Sequence, residues 1–85
     1  MKNKRILITG AAGSIGSELV RQLCVKNKIY GFDLSEMGLH RVKRNLGISV
    51  RVGDVRKRET IRNVFDDFKP QVVIHAAANK SVDLM

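Results

Sequence analysis

Lys4-Arg5-Ile6-Leu7-Ile8-Thr9-Gly10-Ala11-Ala12-Gly13-Ser14-Ile15-Gly16 is the stretch whose reading decides the fold. A short apolar run predicts a strand, three glycines at intervals of three follow it, and a segment with helical periodicity begins inside them. This is the context of a dinucleotide-binding turn. Gly10 lets the chain leave the strand sharply, where a side chain would strain the backbone. Gly13 lets the main chain approach a pyrophosphate, and Gly16 lets the new helix lie close to the sheet. The free N–H groups of the first helical turn, at the positive end of the helix dipole, then face the anion.

An acidic residue at the right distance strengthens this reading. Ile15, Leu19, Val20 and Leu23 fall on one predicted helical face, which places a helix over about residues 14 to 27. Lys28-Ile29-Tyr30-Gly31-Phe32 then predicts a second strand with Asp33 at its C-terminal end. Asp33 follows Gly10 by 23 positions, close to the spacing of about 20 expected for a ribose-binding carboxylate. A carboxylate accepts from both ribose hydroxyls and repels a 2′-phosphate, so Asp33 favours NAD over NADP. Arg41, Lys43 and Arg44 nearby keep NADP open as the alternative. Asp33 also reads as a loop aspartate that caps the next helix, although Ser35 is placed to do that instead.

The rest of the chain repeats the alternation. Leu39, Val42 and Leu46 mark a second helix with Gly47 as its stop. Ile48, Val50 and Val52 alternate with Ser49 and Arg51, as in an edge strand covered on one face. Ile61, Val64, Phe65 and Phe68 form a third helical stripe closed by Pro70. Gln71-Val72-Val73-Ile74-His75-Ala76-Ala77-Ala78 is apolar apart from Gln71 and His75, and predicts a last strand buried on both faces. The order βαβαβαβ implies an α/β fold: one Rossmann-type domain over residues 1–85, a parallel sheet in strand order 3-2-1-4 with helices on both faces. The last strand reads as central yet has no later strand beside it. Its edge, Val72–Ala77, is therefore expected to self-associate, as an ordered dimer or as concentration-dependent aggregation, with folding-back of residues Asn79–Met85 over it as the competing outcome.

Composition narrows the function classes. The chain has 85 residues, 44% of them hydrophobic, and a net charge of +8 from sixteen Lys and Arg against eight Asp and Glu. A domain of this size buries only about 60–65% of its unfolded surface. Arg41-Val42-Lys43-Arg44 and Arg56-Lys57-Arg58 concentrate the charge. With four aromatics and no nucleic-acid motif, these are read as solvated helix faces and attraction for a polyanionic small ligand, not as a nucleic-acid surface. No apolar run reaches the roughly 18 residues of a membrane span. Met1-Lys2-Asn3-Lys4-Arg5 runs too quickly into the glycine turn to be a signal peptide, and the protein reads as cytoplasmic. The single cysteine, Cys24, reads as a small core residue. Cys24, His40 and His75 lack metal-ligand spacing. His75, inside an apolar strand, reads as structural rather than as a general base.

Four stretches carry a family resemblance: Ile6-Leu7-Ile8-Thr9-Gly10-Ala11-Ala12-Gly13-Ser14-Ile15-Gly16-Ser17-Glu18, Asp33-Leu34-Ser35-Glu36, Gly53-Asp54-Val55-Arg56 and His75-Ala76-Ala77-Ala78-Asn79-Lys80. The chain resembles the first part of an extended short-chain dehydrogenase/reductase. Within that class it is most similar to the nucleotide-sugar 4,6-dehydratases of polysaccharide biosynthesis. The resemblance implies that Gly10, Gly13, Ser14, Ile15 and Gly16 meet the cofactor pyrophosphate and Asp33 the adenosine ribose. It implies that Asp54 and Val55 lie against adenine, the Asp54 carboxylate near its amino group, although Asp54 also reads as a cap for the third helix. Ala76, Ala77 and Ala78 would floor the groove, or simply permit tight packing, and Lys80 would point toward the nicotinamide or the substrate.

Two departures weaken parts of that transfer. The stretch after Lys80 is Ser81-Val82-Asp83-Leu84, where the dehydratases usually continue His-Val-Pro-Leu. Lys57 stands where an aspartate cap is common, which predicts a ragged start to the third helix. The reaction implied for a longer parent oxidises a nucleotide-linked hexose at C4, eliminates water (a lyase step) and returns the hydride. The family's catalytic tyrosine or its substitute, the Tyr-x-x-x-Lys lysine and the acid–base residues fall beyond position 85. No catalytic residue is assigned here, and the nucleotide sugar is expected only in a longer chain. Two alternatives stand beside this one: a stand-alone NAD-binding or redox-sensing module, and a truncated fragment with no function of its own.

Overall fold

β1 (Arg5–Thr9), α1 (Ser14–Leu23), β2 (Lys28–Asp33), α2 (Glu36–Leu46), β3 (Ser49–Val52), α3 (Arg58–Phe68) and β4 (Val72–His75) follow one another in a computed structural model that describes residues 1–76. The four strands form one parallel sheet in the order β3-β2-β1-β4, as the alternation of elements requires. β1 lies between β2 and β4, with Leu7 opposite Tyr30 on one side and Val73 on the other.

The central strand divides the core. Ile6 and Ile8 face α1 and α2, where they pack with Val20, Ile29, Leu39, Val42 and Ile48. Leu7 points to the opposite face and meets Phe32 and Val64 of α3. Both faces of β1 are fully buried, so an unbroken apolar run is what this position demands. Cys24 packs at the rim of the first cluster as a half-buried side chain, as its sequence context predicts.

Three expectations need correction. α1 stops at Leu23 rather than near residue 27. Asn27 Nδ2 donates to the Leu23 carbonyl at 2.9 Å and its Oδ1 accepts from the Lys4 amide at 3.0 Å, so Asn27 closes the helix and ties the turn to β1. Ile15 does not join the helical stripe and is 67% exposed. Gly16 and Val20 are the buried positions of α1. At about 100° per residue they centre the face roughly a third of a turn away from Ile15.

The third correction concerns β4. Its residues alternate half-buried and exposed instead of being covered on both faces. Val72 and Ile74 pack on the cluster shared with α1 and α2, whereas Val73, 47% exposed, and His75 share the face of Leu7 and Thr9. α3 covers that face over β1 and β2, and among the described residues nothing covers it over β4.

The other helix ends follow the sequence. Ser35 Oγ accepts from the Gly38 amide at 3.1 Å and caps α2, as its position predicts, and Gly47 ends that helix with its amide on the Lys43 carbonyl. Lys57 at the start of α3 makes no side-chain cap. Among the described residues no helix is long and apolar enough to cross a membrane, and no group of three or more His, Cys, Asp or Glu is gathered as a metal site.

Candidate dinucleotide cleft

The C-terminal ends of the parallel strands converge on one cleft of about 330 Å³, which is where ligands of open α/β sheets bind. Gly10 begins its floor. Its φ of +76° is a left-handed conformation, and its amide donates to the Phe32 carbonyl at 2.7 Å, so the turn is anchored on β2 as it leaves β1. Gly16 is buried beneath that turn. A Cβ on Gly16 would stand 1.9 Å from the Gly10 carbonyl oxygen, closer than any atom tolerates. Its glycine is therefore required by packing alone, whatever binds above.

α1 opens on Gly13, which supplies no capping side chain, and its first turn contains no acidic residue. The amides of Ser14, Ile15 and Gly16 open this helix and have no intrahelical acceptor, by helix geometry. α2 differs, with its Ser35 cap and Glu36 in the first turn. The positive end of α1 is thus left free beside Gly10 and Gly13, which line the cleft.

Asp33 sits at the end of β2 with its carboxylate turned toward the glycine turn. Oδ2 accepts from the Ala12 amide at 3.0 Å and Oδ1 from the Ser35 amide at 2.9 Å. It does not cap α2, because Ser35 performs the capping. Each carboxylate oxygen keeps further acceptor capacity, and Asp33 lines the cleft.

Asp54 follows β3 and Gly53, whose amide donates to the Asp33 carbonyl at 2.9 Å and so couples the two acidic residues through the backbone. The Asp54 carboxylate does not cap α3. Oδ1 accepts from the Arg56 amide at 2.9 Å, and the Arg56 guanidinium grips both oxygens, with Nη2 2.8 Å from Oδ2. The side-chain hydrogen bonds from Arg56, aided by its amide, hold the Asp54 carboxyl down at about 2.

Six sequence-predicted residues therefore line a single cleft: Gly10, Gly13, Asp33, Asp54, Val55 and Ala76. Ser14 and Ile15 are exposed in the first turn of α1, next to Gly13, and do not line the cleft. Ala77, Ala78 and Lys80 lie outside the described residues. Leu34, Gly53 and Arg56 also line the cleft and were not singled out as binding residues, although Gly53 and Arg56 belong to a stretch already quoted for the resemblance. Their signal was adjacency to Asp33 and Asp54. His75 is at the open side of the sheet, exposed, and shares a hydrogen bond between its Nδ1 and Thr9 Oγ1, which supports its structural reading.

The sequence pattern of the family described as polysaccharide biosynthesis protein matches residues 6–85. The chain belongs to that family. The capsular polysaccharide biosynthesis protein CapD of Staphylococcus aureus is 37% identical over 95 residues, which takes in 100% of this chain and 16% of CapD. Among solved structures, the dTDP-glucose 4,6-dehydratase of Bacillus anthracis in complex with NAD superposes with a TM-score of 0.75 at 25% identity, covering 89% of this chain and 27% of that one. The UDP-glucose 4-epimerase of Thermotoga maritima with UDP-glucose gives 0.77 at 27% identity, over 91% and 25%. The resemblance to the first part of an extended short-chain dehydrogenase/reductase is thereby borne out, as is the Rossmann-type fold. The chain spans about a sixth of its curated relative and about a quarter of these solved chains.

Proposed function

We propose that this chain is the NAD-binding portion of a nucleotide-sugar dehydratase or epimerase of polysaccharide biosynthesis. The observation that carries the reading is the convergence of the Gly10–Gly16 turn, the uncapped α1 N-terminus, Asp33 and Asp54 on one cleft. The relatives supply the chemistry: one binds NAD and acts on a dTDP-sugar, another is held with UDP-glucose. In this reading the α1 amides and the glycine turn take the pyrophosphate, Asp33 the adenosine ribose, and Asp54 with Val55 the adenine. Asp33 makes the cofactor NAD rather than NADP. When bound, the nicotinamide supplies a hydride acceptor for a sugar carbinol. The 85 residues hold and orient the adenosine half, and the lyase or epimerase chemistry, with its nucleotide sugar, belongs to a longer chain in the same cytoplasmic setting.

The binding is expected to be weak. A cleft that encloses only the adenosine half leaves few contacts to offset the cost of immobilising a dinucleotide, so affinity should fall in the high micromolar range or worse, about −4 to −5.5 kcal/mol. Titration with NAD, read by amide NMR shifts, checks this. Saturable shifts at Gly10, Gly13 and Gly16 are expected. No shift with millimolar NAD, or equal shifts with an unrelated anion, refutes the reading.

Self-association through β4 is part of the same proposal. β4 pairs with β1 on one side, and among the described residues no strand pairs with its other side, an open edge of the kind that templates pairing between chains. A concentration-dependent dimer or larger species is expected in sedimentation across a hundred-fold range, and Val73→Lys is expected to return it to monomer. A parent chain that stays monomeric throughout overturns this.

A further inference from the structure

The starts of β1 and β2 form a basic pole at the end of the sheet opposite the cleft. Lys4, Arg5, Lys26 and Lys28 line one open recess there with Asn3, Asn27 and Val25. Arg5 and Lys28 stand opposite each other in the register of the two strands. Lys2 and Lys69 flank the recess, the latter through its carbonyl, which accepts from Arg5 Nε at 2.9 Å. All six basic residues are exposed.

Backbone bonds force these like charges together. The Asn3 amide donates to the Lys26 carbonyl at 2.7 Å, and the Lys28 amide to the Lys4 carbonyl at 2.9 Å. Asn27 Nδ2 donates to the Met1 carbonyl at 3.2 Å, so Lys2 lies between two pinned residues. Asn3 makes this bend with a φ of +58°, a left-handed conformation that asparagine tolerates better than most side chains. Among the described residues none of the six cations forms an ion pair. Asp66 and Asp67 precede Lys69 in the last turn of α3, but neither lines the recess, and Asp67 faces Arg51 at 3.9 Å.

Helix dipoles account for only part of this concentration. A cation is favourable just past a helix C-terminus, where Lys26 follows α1 and Lys69 follows α3. That leaves Lys2, Lys4, Arg5 and Lys28. The cofactor anion does not explain them either. The five residues of β1 separate the pole from the cleft by about 15 Å, and physiological salt screens exposed charges over about 8 Å.

The apolar residues of the pole point to its partner. Val25, in the recess, is 76% exposed, and Met1 is 64% exposed. Apolar tips among long lysine side chains suit a headgroup layer, where the tips enter the lipid and the ammonium groups stay at the charged surface. Five of the six cations are lysines, point charges rather than the planar forks that recognise phosphates or bases bidentately. No aromatic lines the recess to stack a base.

We propose that this pole docks the protein on a bilayer surface bearing anionic headgroups, with Lys2, Lys4, Lys26 and Lys28 over the headgroups and Val25 inserted among them. Docked in this way, the protein holds its cleft at the end away from the lipid. The inference does not depend on the cofactor reading.

Flotation of the 85-residue chain with vesicles tests it. The vesicles are phosphatidylcholine alone or with about one-third phosphatidylglycerol, at low and at physiological salt. Binding is expected to the mixed vesicles only, and to weaken as salt rises. Lys4→Gln and Lys26→Gln should each lose about fivefold, and the double variant about twenty-five-fold, the scale of a lysine near an anionic surface. Val25→Ser should lose severalfold on the mixed vesicles and leave binding to duplex DNA of mixed sequence unchanged. All three positions are exposed, so thermal melts should match or exceed the parent. In the parent itself, lipids carrying chelated gadolinium should broaden the amides of Asn3, Lys4 and residues 25–28 and spare Gly10 to Gly16. No binding to mixed vesicles at low salt, equal binding to neutral ones, or broadening centred on the glycine turn overturns the proposal. DNA binding as tight as vesicle binding, or vesicle binding indifferent to Val25→Ser, overturns it as well, because the pole is then a general polyanion surface.

Discussion

Gly16→Ala should unfold much of this domain at temperatures where the parent is intact, whereas Gly13→Ala should leave stability nearly unchanged and weaken cofactor binding at least tenfold. At Gly16 the new methyl would lie 1.9 Å from the Gly10 oxygen and 2.7 Å from its carbonyl carbon. Both are backbone atoms of an anchored turn, so no flexible side chain can move aside. Overpacking a core typically costs about 1–3 kcal/mol and more when the obstacle is rigid, so about 3 kcal/mol or more is expected. A small domain near the lower limit of natural stability, about 5 kcal/mol, loses most of its margin. At about 4–8 °C per kcal/mol the melting temperature should fall by about 12–24 °C.

Gly13 is the contrasting position. Its φ is −78°, which alanine adopts freely, and the nearest atom to an added Cβ is 3.5 Å away. Its stability cost should stay under about 1 kcal/mol, the scale of exchanging a glycine N-cap for alanine. The methyl would nevertheless stand at the mouth of the uncapped helix, where a pyrophosphate has to approach, and NAD affinity should drop at least tenfold, about 1.4 kcal/mol. Thermal melts by circular dichroism and NAD titrations of both variants separate the two roles. Equal melting temperatures for Gly16→Ala and the parent would show that the turn does not pack as described. Undiminished NAD binding by Gly13→Ala would remove the pyrophosphate from this turn.

That division of labour shows what the sequence makes legible. The glycine spacing after an apolar strand identified the turn and already set the packing glycine, Gly16, apart from the ligand-facing one, Gly13; the atomic distances add how little room Gly16 has. Strand order followed from alternation alone, because parallel crossovers of one hand leave few arrangements. Asp33 was legible because its distance from Gly10 is set by one βαβ unit. The pairing of Arg56 with Asp54 was not, since it depends on a turn that folds the chain back two residues, and sequence shows adjacency without direction. Ile15 failed for a related reason. It shares the spacing of a helical stripe, yet the buried face is set by Gly16 and Val20, and an apolar pattern gives glycine no weight. The double burial predicted for β4 failed because apolarity along a strand reports what the strand can tolerate on each face, not what the described residues place there.

Asp33→Ala carries the second large effect, and the structure complicates how it must be read. The carboxylate accepts from the Ala12 and Ser35 amides, at 3.0 and 2.9 Å. The Ala12 end is partly buried, so its orphaned N–H should cost about 1–3 kcal/mol of stability, while the exposed Ser35 amide returns to water. NAD also loses its charged acceptor at the ribose, a contribution of about 1.5–3 kcal/mol, so its affinity should fall at least several-fold. A drop in NAD binding alone therefore proves nothing, since a partly unfolded chain binds less of any ligand. The ratio of NAD to NADP affinity is immune to this, because both ligands see the same folded fraction and unfolding cancels from the quotient. Removal of the carboxylate abolishes repulsion of the 2′-phosphate and the hydrogen bonds to the free ribose together, so the ratio should shift toward NADP. Asp33→Asn, which keeps one acceptor oxygen for the turn without the charge, should shift the ratio in the same direction with less loss of stability. Parallel titrations of parent and both variants measure it, and a ratio equal to that of the parent in both would take Asp33 off the ribose.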